Sequence, residues 1–291
     1  MTAGQAQAVD EGPRPPAGVV PALCVFAVCR TDSFGALPPG SGHPEGDAVR
    51  LLALDDALSA VVQDVPADRF AEEALKQRLS DRTELESCAR AHHATVTAAA
   101  EHGPVVPLPL ATLFTGAGRA RAALARQLPQ FHEALTRVQG RAEWAVKVYV
   151  RQAGTAEAPP VPDDAPGAGP GSGRAYLSRV RGRERDRLAR HEAAVAAAAR
   201  IHEAAVGVGV ACVQRRPHGP EITGKDRCQL MNAAYLVAHE RAAELGAALR
   251  AASTDGTAAE VEVEISGPWV PYSFTEPSPP PGADVQAGRR T

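Results

Sequence analysis

The chain has 291 residues, with 31 Lys and Arg against 34 Asp and Glu, and a formal charge of -3 at pH 7. The near-balanced charge argues against a general polyanion binder, and the length predicts two domains. Aromatic residues make up only 4% of the chain, beside 26 Gly and 25 Pro. Ala, Val and Leu therefore have to fill the core, and each aromatic residue becomes informative.

The amino-terminal end predicts neither a membrane span nor a signal peptide. Residues 1–17 are small, polar and proline-rich, which is typical of a disordered leader. The longest apolar run, Val19 to Val28, falls far short of the roughly 20 residues of a membrane span. It has acidic residues before it and no small-x-small cleavage site after it, so a buried first strand is predicted. The five Cys include no C-x-x-C pair, and we expect reduced thiols and a cytoplasmic location.

The next segment predicts a hairpin and two helices. Val49–Leu54 and Leu58–Val65 are apolar runs separated by a short polar turn, as in a β-hairpin. Asp68 is the predicted N-cap of a first helix. A second helix is expected to begin after Ser80 or Asp81 and to run to Glu101, before the stop at Gly103-Pro104.

Further elements complete the first predicted domain. Val105–Leu110 is extended, and its two prolines restrict it to an edge strand or an irregular segment. Gly116–Gln139 predicts a helix broken near Pro129, and Glu143–Val150 alternates as a strand does. We therefore predict an N-terminal α/β domain over residues 18–151.

Residues 152–173 carry almost no large apolar side chain and predict a flexible linker between domains. A long helix is expected from Arg174 to about Val206. The pentapeptide HEAAV occurs twice within it, at His191–Val195 and His202–Val206. Eleven residues are almost three helical turns, so the two copies are expected to share a face.

The carboxyl-terminal part predicts a small α+β domain over residues 174–275, followed by a disordered tail over 276–291. Strands are expected at Val206–Val213, Cys228–Val237 and Val261–Ile265, with a helix at Ala238–Ala252.

The sequence contains no recognisable set of catalytic, cofactor-binding or metal-binding residues. His191 and His202 lie about 16 Å apart along a helix, too far to share a metal ion. Nucleophile-elbow and phosphate-loop motifs are absent from the sequence. Cys88 and His92 have i, i+4 spacing and leave one alternative open, a thiol enzyme in which the pKa of Cys88 is depressed.

Two segments are candidates for partner binding. The stretch from Arg179 to Arg187 is basic, and Arg183 and Arg187 in it belong either to a solvated helix face or to a docking face for an acidic protein. Nucleic acid is disfavoured because no aromatic side chains accompany the arginines. Trp269, Tyr272 and Phe274 form an aromatic cluster that either covers the open face of its own sheet or anchors a partner.

Four segments, in this order, resemble the GvpF/GvpL family of gas vesicle proteins. They are Gly103–Leu108, Gly140–Tyr149, Asn232–Val237 and Gly267–Phe274. The resemblance implies a two-domain α+β protein with an N-terminal α/β domain and a C-terminal ferredoxin-like domain that contains a long helix.

The same resemblance implies a non-enzymatic function. It predicts an accessory or minor structural protein of the gas vesicle that supports shell assembly. The implied partners are the major hydrophobic shell protein and other accessory proteins, with no nucleic acid and no membrane. The alternative is a small-molecule-sensing ferredoxin-like regulatory protein.

Overall fold

The computed structural model describes residues 22–33, 35, 37–151, 172–217, 219, 228–254 and 260–275. The chain divides into two compact units, the first built largely from residues up to Leu128 and the second largely from Pro129 onward. The predicted leader (1–17), the predicted tail (276–291) and residues 152–171 of the predicted linker lie outside the described residues. No described helix is long and apolar enough to span a bilayer.

One sheet is built from five strands that precede Leu128 in the chain. They are β1 (Ala22–Arg30), β2 (Arg50–Ala53), β3 (Leu58–Val65), β4 (Val105–Pro107) and β5 (Leu113–Thr115). The order is β2-β3-β1-β4, and β5 also pairs with β1. The predicted hairpin is confirmed by antiparallel pairing of β2 with β3. The proline-containing β4 lies at an edge, where a missing N–H is tolerated.

The helices that follow in the chain are α1 (Ala67–Phe70), α2 (Glu72–Ser80), α3 (Arg82–Ala100), α4 (Ala117–Ala125) and α5 (Leu128–Val138). Asp81 caps α3, because its side chain accepts a hydrogen bond from the Glu84 N–H at 2.9 Å. The predicted cap at Asp68 is wrong, since α1 begins after Pro66 and Asp68 lies in its first turn. The expected break near Pro129 is confirmed as the gap between α4 and α5.

The second unit has the ferredoxin-like order of elements. Its strands are β6 (Arg141–Val150), β7 (Ala211–Arg215), β8 (Gln229–Ala238) and β9 (Val261–Trp269), and its two further helices are α6 (Ser172–Val208) and α7 (Ala242–Thr254). The sheet order is β7-β8-β6-β9, with antiparallel neighbours. A β-α-β-β-α-β chain with this order is the split βαβ arrangement.

The structure places the boundary between units before β6 rather than after it. Strand β6, predicted to close the first domain, is the central strand of the second sheet and pairs with β8 and β9. Residues 152–171 of the predicted linker therefore lie between β6 and α6 within one unit instead of joining two domains, and α6 already begins at Ser172. Proline and glycine enrichment marks a connection between elements, but it does not show which sheet the flanking strands join.

The strand predicted at Val206–Val213 also begins later than expected. Helix α6 continues to Val208, where the Gly209 N–H still donates to the Ala205 carbonyl at 2.8 Å, and β7 begins at Ala211. A short apolar run fits the end of a buried helix as well as a strand.

The core of the second unit lies between its sheet and two helices, α6 and α7. The fully or nearly fully buried side chains on α6 are Ala194, Ala197, Ala198, Ile201, Ala205 and Val208, and they pack with Val146, Val148 and Tyr235 of the sheet. The HEAAV repeats share a face as predicted, since Ala194 and Ala205 are buried while Val195 and Val206 are exposed.

Candidate partner-binding surfaces

The carboxyl-terminal aromatic motif folds back on its own sheet through a buried carboxylate. Glu143 on β6 accepts hydrogen bonds from the Ser273 N–H at 2.9 Å and the Ser273 hydroxyl at 2.8 Å. Arg215 on β7 donates to the same carboxylate at 3.0 Å and also contacts the Ser273 hydroxyl. These three residues, the Glu143 clamp, hold the short helical turn Tyr272–Phe274 against the sheet.

The three aromatic residues of the motif differ in how far they are buried. Phe274 is only 5% exposed and packs with Val138, Ala234 and Leu236 on the sheet face opposite α6, as the self-covering interpretation predicts. Tyr272 is half-buried, whereas Trp269 at the end of β9 is 47% exposed. Phe274 is therefore a packing residue, and a role in partner binding stays open for Trp269 and Tyr272.

Gly267 allows the backbone of the motif to pass close to β6. Its φ is +144°, and a Cβ there would lie 2.9 Å from the Glu143 carbonyl oxygen and 3.0 Å from the Trp144 ring. We predict that Gly267→Ala lowers the free energy of unfolding by about 1–3 kcal/mol, because strain and a backbone clash add together. Chemical denaturation measures the change.

Gly182 supplies the matched control for this substitution. It lies inside α6, and a Cβ there would meet nothing within 4 Å. Gly182→Ala is expected to stabilise the helix by up to about 1 kcal/mol, because alanine has the higher helix propensity. A Gly267→Ala protein as stable as the parent would contradict the close-approach argument.

The two predicted binding arginines lie on the amino-terminal half of α6. From Ser178 to Glu192 every residue is exposed except the half-buried Gly182. Arg183 and Arg187 are one turn apart there, and neither forms an ion pair or a side-chain hydrogen bond with any described residue. We call residues 178–192 the α6 arm.

A groove lies where α6 passes the ends of β7 and β8. It encloses about 380 Å³ and is lined by apolar side chains with a polar edge, namely Val195, Ala198, Ala199, Pro217, Leu230 and Met231, with His202, Gln214, Arg215 and Asn232. We call it the α6 groove. Sequence reasoning missed it because the residues come from three elements whose adjacency appears only in the folded sheet.

Hydrogen bonds fix the polar side of the α6 groove. The Gln214 amide donates to Nε2 of His202 at 3.1 Å, which leaves Nδ1 of that ring to donate to the Tyr235 hydroxyl at 2.6 Å. Burial raises the pKa of Tyr235, so its hydroxyl stays protonated at neutral pH. This arrangement orients side chains for binding and offers no activated nucleophile.

The thiol-enzyme alternative finds no support in the first unit. Cys88 and His92 both lie on the buried face of α3, but burial raises the pKa of Cys88, whereas a nucleophilic thiol needs a lowered one. Nε2 of His92 donates to the Leu108 carbonyl at 3.1 Å. Among the described residues no group of three or more His, Cys, Asp or Glu side chains has the geometry of a metal site.

Fold and surfaces together define a two-unit α+β protein with an exposed arginine-rich arm and a largely apolar groove. The chain belongs to the "Gas vesicle synthesis protein GvpL/GvpF" family, whose profile matches residues 22–276. It is 36% identical over 250 residues to "Gas vesicle protein L" of Streptomyces sp. (strain CB03234), covering 86% of this chain and 91% of that protein.

Solved structures agree with the fold. The crystal structure of GvpF from Anabaena sp. PCC7120 superposes with a TM-score of 0.57 at 16% identity, over 89% of this chain and 97% of that one. GvpF from Microcystis aeruginosa gives a TM-score of 0.53 at 12% identity, over 89% of this chain and all of that one. The family profile and the 36% identical relative, rather than these structures, confirm the predicted family, which is not a known enzyme family.

Proposed function

We propose that this protein is a cytoplasmic accessory or minor structural protein that supports assembly of the gas vesicle shell. It binds the hydrophobic shell protein, and other accessory proteins, by surface contact without chemistry. Family membership supports the gas vesicle context. The α6 groove is the observation that carries the binding step, because its apolar lining fits a hydrophobic segment that has to be shielded from water before it joins the shell.

Val195 is the residue through which this proposal is tested. It lines the α6 groove and is 48% exposed, so a charge introduced there meets a partner rather than the core. Val195→Glu is expected to weaken capture of the co-expressed major shell protein at least about tenfold, or about 1.4 kcal/mol, because the carboxylate has to be desolvated in the complex. Pull-down measures capture, and electron microscopy of complemented cells counts the vesicles.

Val206→Glu is the matched control. Val206 is the equivalent position in the second HEAAV copy, is 45% exposed on the same helix and lies outside the groove lining. It is expected to leave shell-protein capture within about twofold of the parent. Equal capture by both variants, or equal loss in both, would remove the groove from the proposal.

Small-molecule sensing is the second candidate function, and the size of the α6 groove favours it. A volume of about 380 Å³ lies within the roughly 300–1,000 Å³ range of ligand sites. Thermal denaturation across a metabolite panel tests it. A shift in melting temperature that Val195→Glu abolishes supports sensing, and no shift with any compound excludes it.

A further inference from the structure

The α6 arm carries a regular row of arginines. Four of its six arginines, Arg179, Arg183, Arg187 and Arg190, follow one another at spacings of four, four and three residues. Residues at these spacings lie along one side of a helix, so the row extends about 16 Å along α6. We call it the arginine row.

An apolar strip runs beside this row. Val180 and Leu188 are large exposed hydrophobic side chains on the α6 arm, eight residues apart. Because eight residues are slightly more than two helical turns, both side chains lie toward one side of the helix, next to Arg183 and Arg187. The α6 arm therefore presents positive charge and apolar surface side by side.

The α6 arm gains little stability by packing against the described residues, because nearly all of its side chains are exposed. Residues 178–192 include six arginines and three carboxylates, a formal charge of +3. Like charges at i, i+4 destabilise a helix, and helix segments without tertiary packing are marginal in water. An anionic partner bound along the arginine row neutralises the repulsion between the arginines and packs against the exposed arm.

We infer that the α6 arm docks an acidic amphipathic helix of a partner protein. Carboxylates at i, i+4 and i+7 of such a helix pair with the arginine row, and its apolar side covers Val180 and Leu188. Nucleic acid fits less well, because the arm presents apolar side chains and no Phe, Tyr or Trp ring for base stacking. The arm is a different surface from the α6 groove and does not require the shell protein.

A synthetic peptide tests the inference on the full chain. The probe is a fluorescent helix of about 20 residues, with Glu at i, i+4 and i+7 and Leu along one side; a scrambled peptide of the same composition and a DNA duplex serve as comparisons. Fluorescence anisotropy measures binding, and hydrogen exchange locates it. We expect the helical probe to bind and to slow exchange in residues 178–192, and we expect affinity to fall as salt rises.

Charge reversal identifies the residues. The double variant Arg183→Glu, Arg187→Glu is expected to weaken probe binding at least about tenfold. The control is the double variant Arg119→Glu, Arg126→Glu, which changes the net charge equally at exposed positions in the first unit. This control is expected to weaken probe binding less than about twofold. Leu188→Ser removes apolar contact without a charge change and also weakens binding. This variant keeps the test valid if the double charge reversal unfolds the arm.

The remaining outcomes overturn the inference. If the scrambled peptide or DNA binds as tightly as the helical probe, the arm is a general polyanion surface. If both charge-reversed variants lose binding equally, the effect is one of net charge. If the helical probe does not bind, the arm is not a docking site. The Val195→Glu variant is expected to bind the helical probe as the parent does and to capture the shell protein more weakly. Failure of the groove proposal is therefore distinguishable from failure of this one.

Discussion

Replacement of Glu143 by Ala is expected to lower the free energy of unfolding of the second unit by about 2–3 kcal/mol. The side chain is only 6% exposed, and its loss leaves the Ser273 N–H and hydroxyl without their acceptor. Removing one member of a fully buried pair costs about 3–5 kcal/mol, but Arg215 is 46% exposed and regains water, which reduces the cost.

The same substitution is expected to release the carboxyl-terminal turn. Without the Glu143 clamp, Phe274 still has its apolar contacts on the sheet, a hydrogen bond from its N–H to the Pro271 carbonyl and a hydrogen bond from Arg137 to its own carbonyl. Denaturant unfolding measures the stability. Hydrogen exchange measures the turn, where we expect faster exchange of the Ser273 amide than in the parent.

A surface ion pair in the same sheet provides the control. Lys147 and Glu264 lie 3.2 Å apart on neighbouring strands, and both side chains are partly exposed. Glu264→Ala is expected to cost less than about 1 kcal/mol, as exposed pairs do. If Glu143→Ala costs no more than this control, the clamp does not hold the motif in place.

Local periodicity predicted many of the elements correctly. The start of α3 after Asp81, one of the two positions expected, the hairpin of β2 and β3 and the shared face of the HEAAV repeats all depend on residues close in sequence. Each is decided by side-chain spacing or by one capping hydrogen bond, and these are the interactions that a pattern reports.

Strand β6 shows why the domain boundary was misplaced. Its alternation predicts a strand, but its partners β8 and β9 lie about 80–120 residues later in the chain. Pairing over such separations depends on the packing of the whole sheet, which no local pattern contains. The α6 groove and the Glu143 clamp were missed for the same reason, since Glu143, Arg215 and Ser273 meet only in the folded second unit.

Acidification is expected to destabilise the first unit through two buried histidines. His43 lies between Phe70 and Phe26, with ring centroids 5.0 and 5.7 Å away. Burial lowers the pKa of His43 to about 4. The nearby Glu45 partly opposes this shift, and His92 and Arg78 add to it. Burial also lowers the pKa of His92, and its Nδ1 has no hydrogen-bond partner among the described residues. Both rings are therefore neutral in the folded protein at neutral pH.

Acid destabilises the folded protein because unfolding lets these histidines take up protons. The unfolded chain binds protons at these histidines below a pKa of about 6.5, so stability is complete above that pH and falls as the pH drops toward about 4. At pH 5 we expect His43 alone to cost about 2 kcal/mol, with His92 adding to it. Hydrogen exchange of the β1 and β3 amides at about pH 7.5 and about pH 5, corrected for intrinsic rates, measures the change.

Two variants assign this pH dependence to its source. His43→Phe keeps an aromatic ring between Phe26 and Phe70 but cannot take up a proton, so it is expected to remove about 2 kcal/mol of the acid destabilisation. His191→Gln, at an exposed position on the α6 arm, is expected to leave the pH dependence of β1 and β3 unchanged. An unaltered pH dependence in His43→Phe would show that His43 is not the source of the acid sensitivity of this unit.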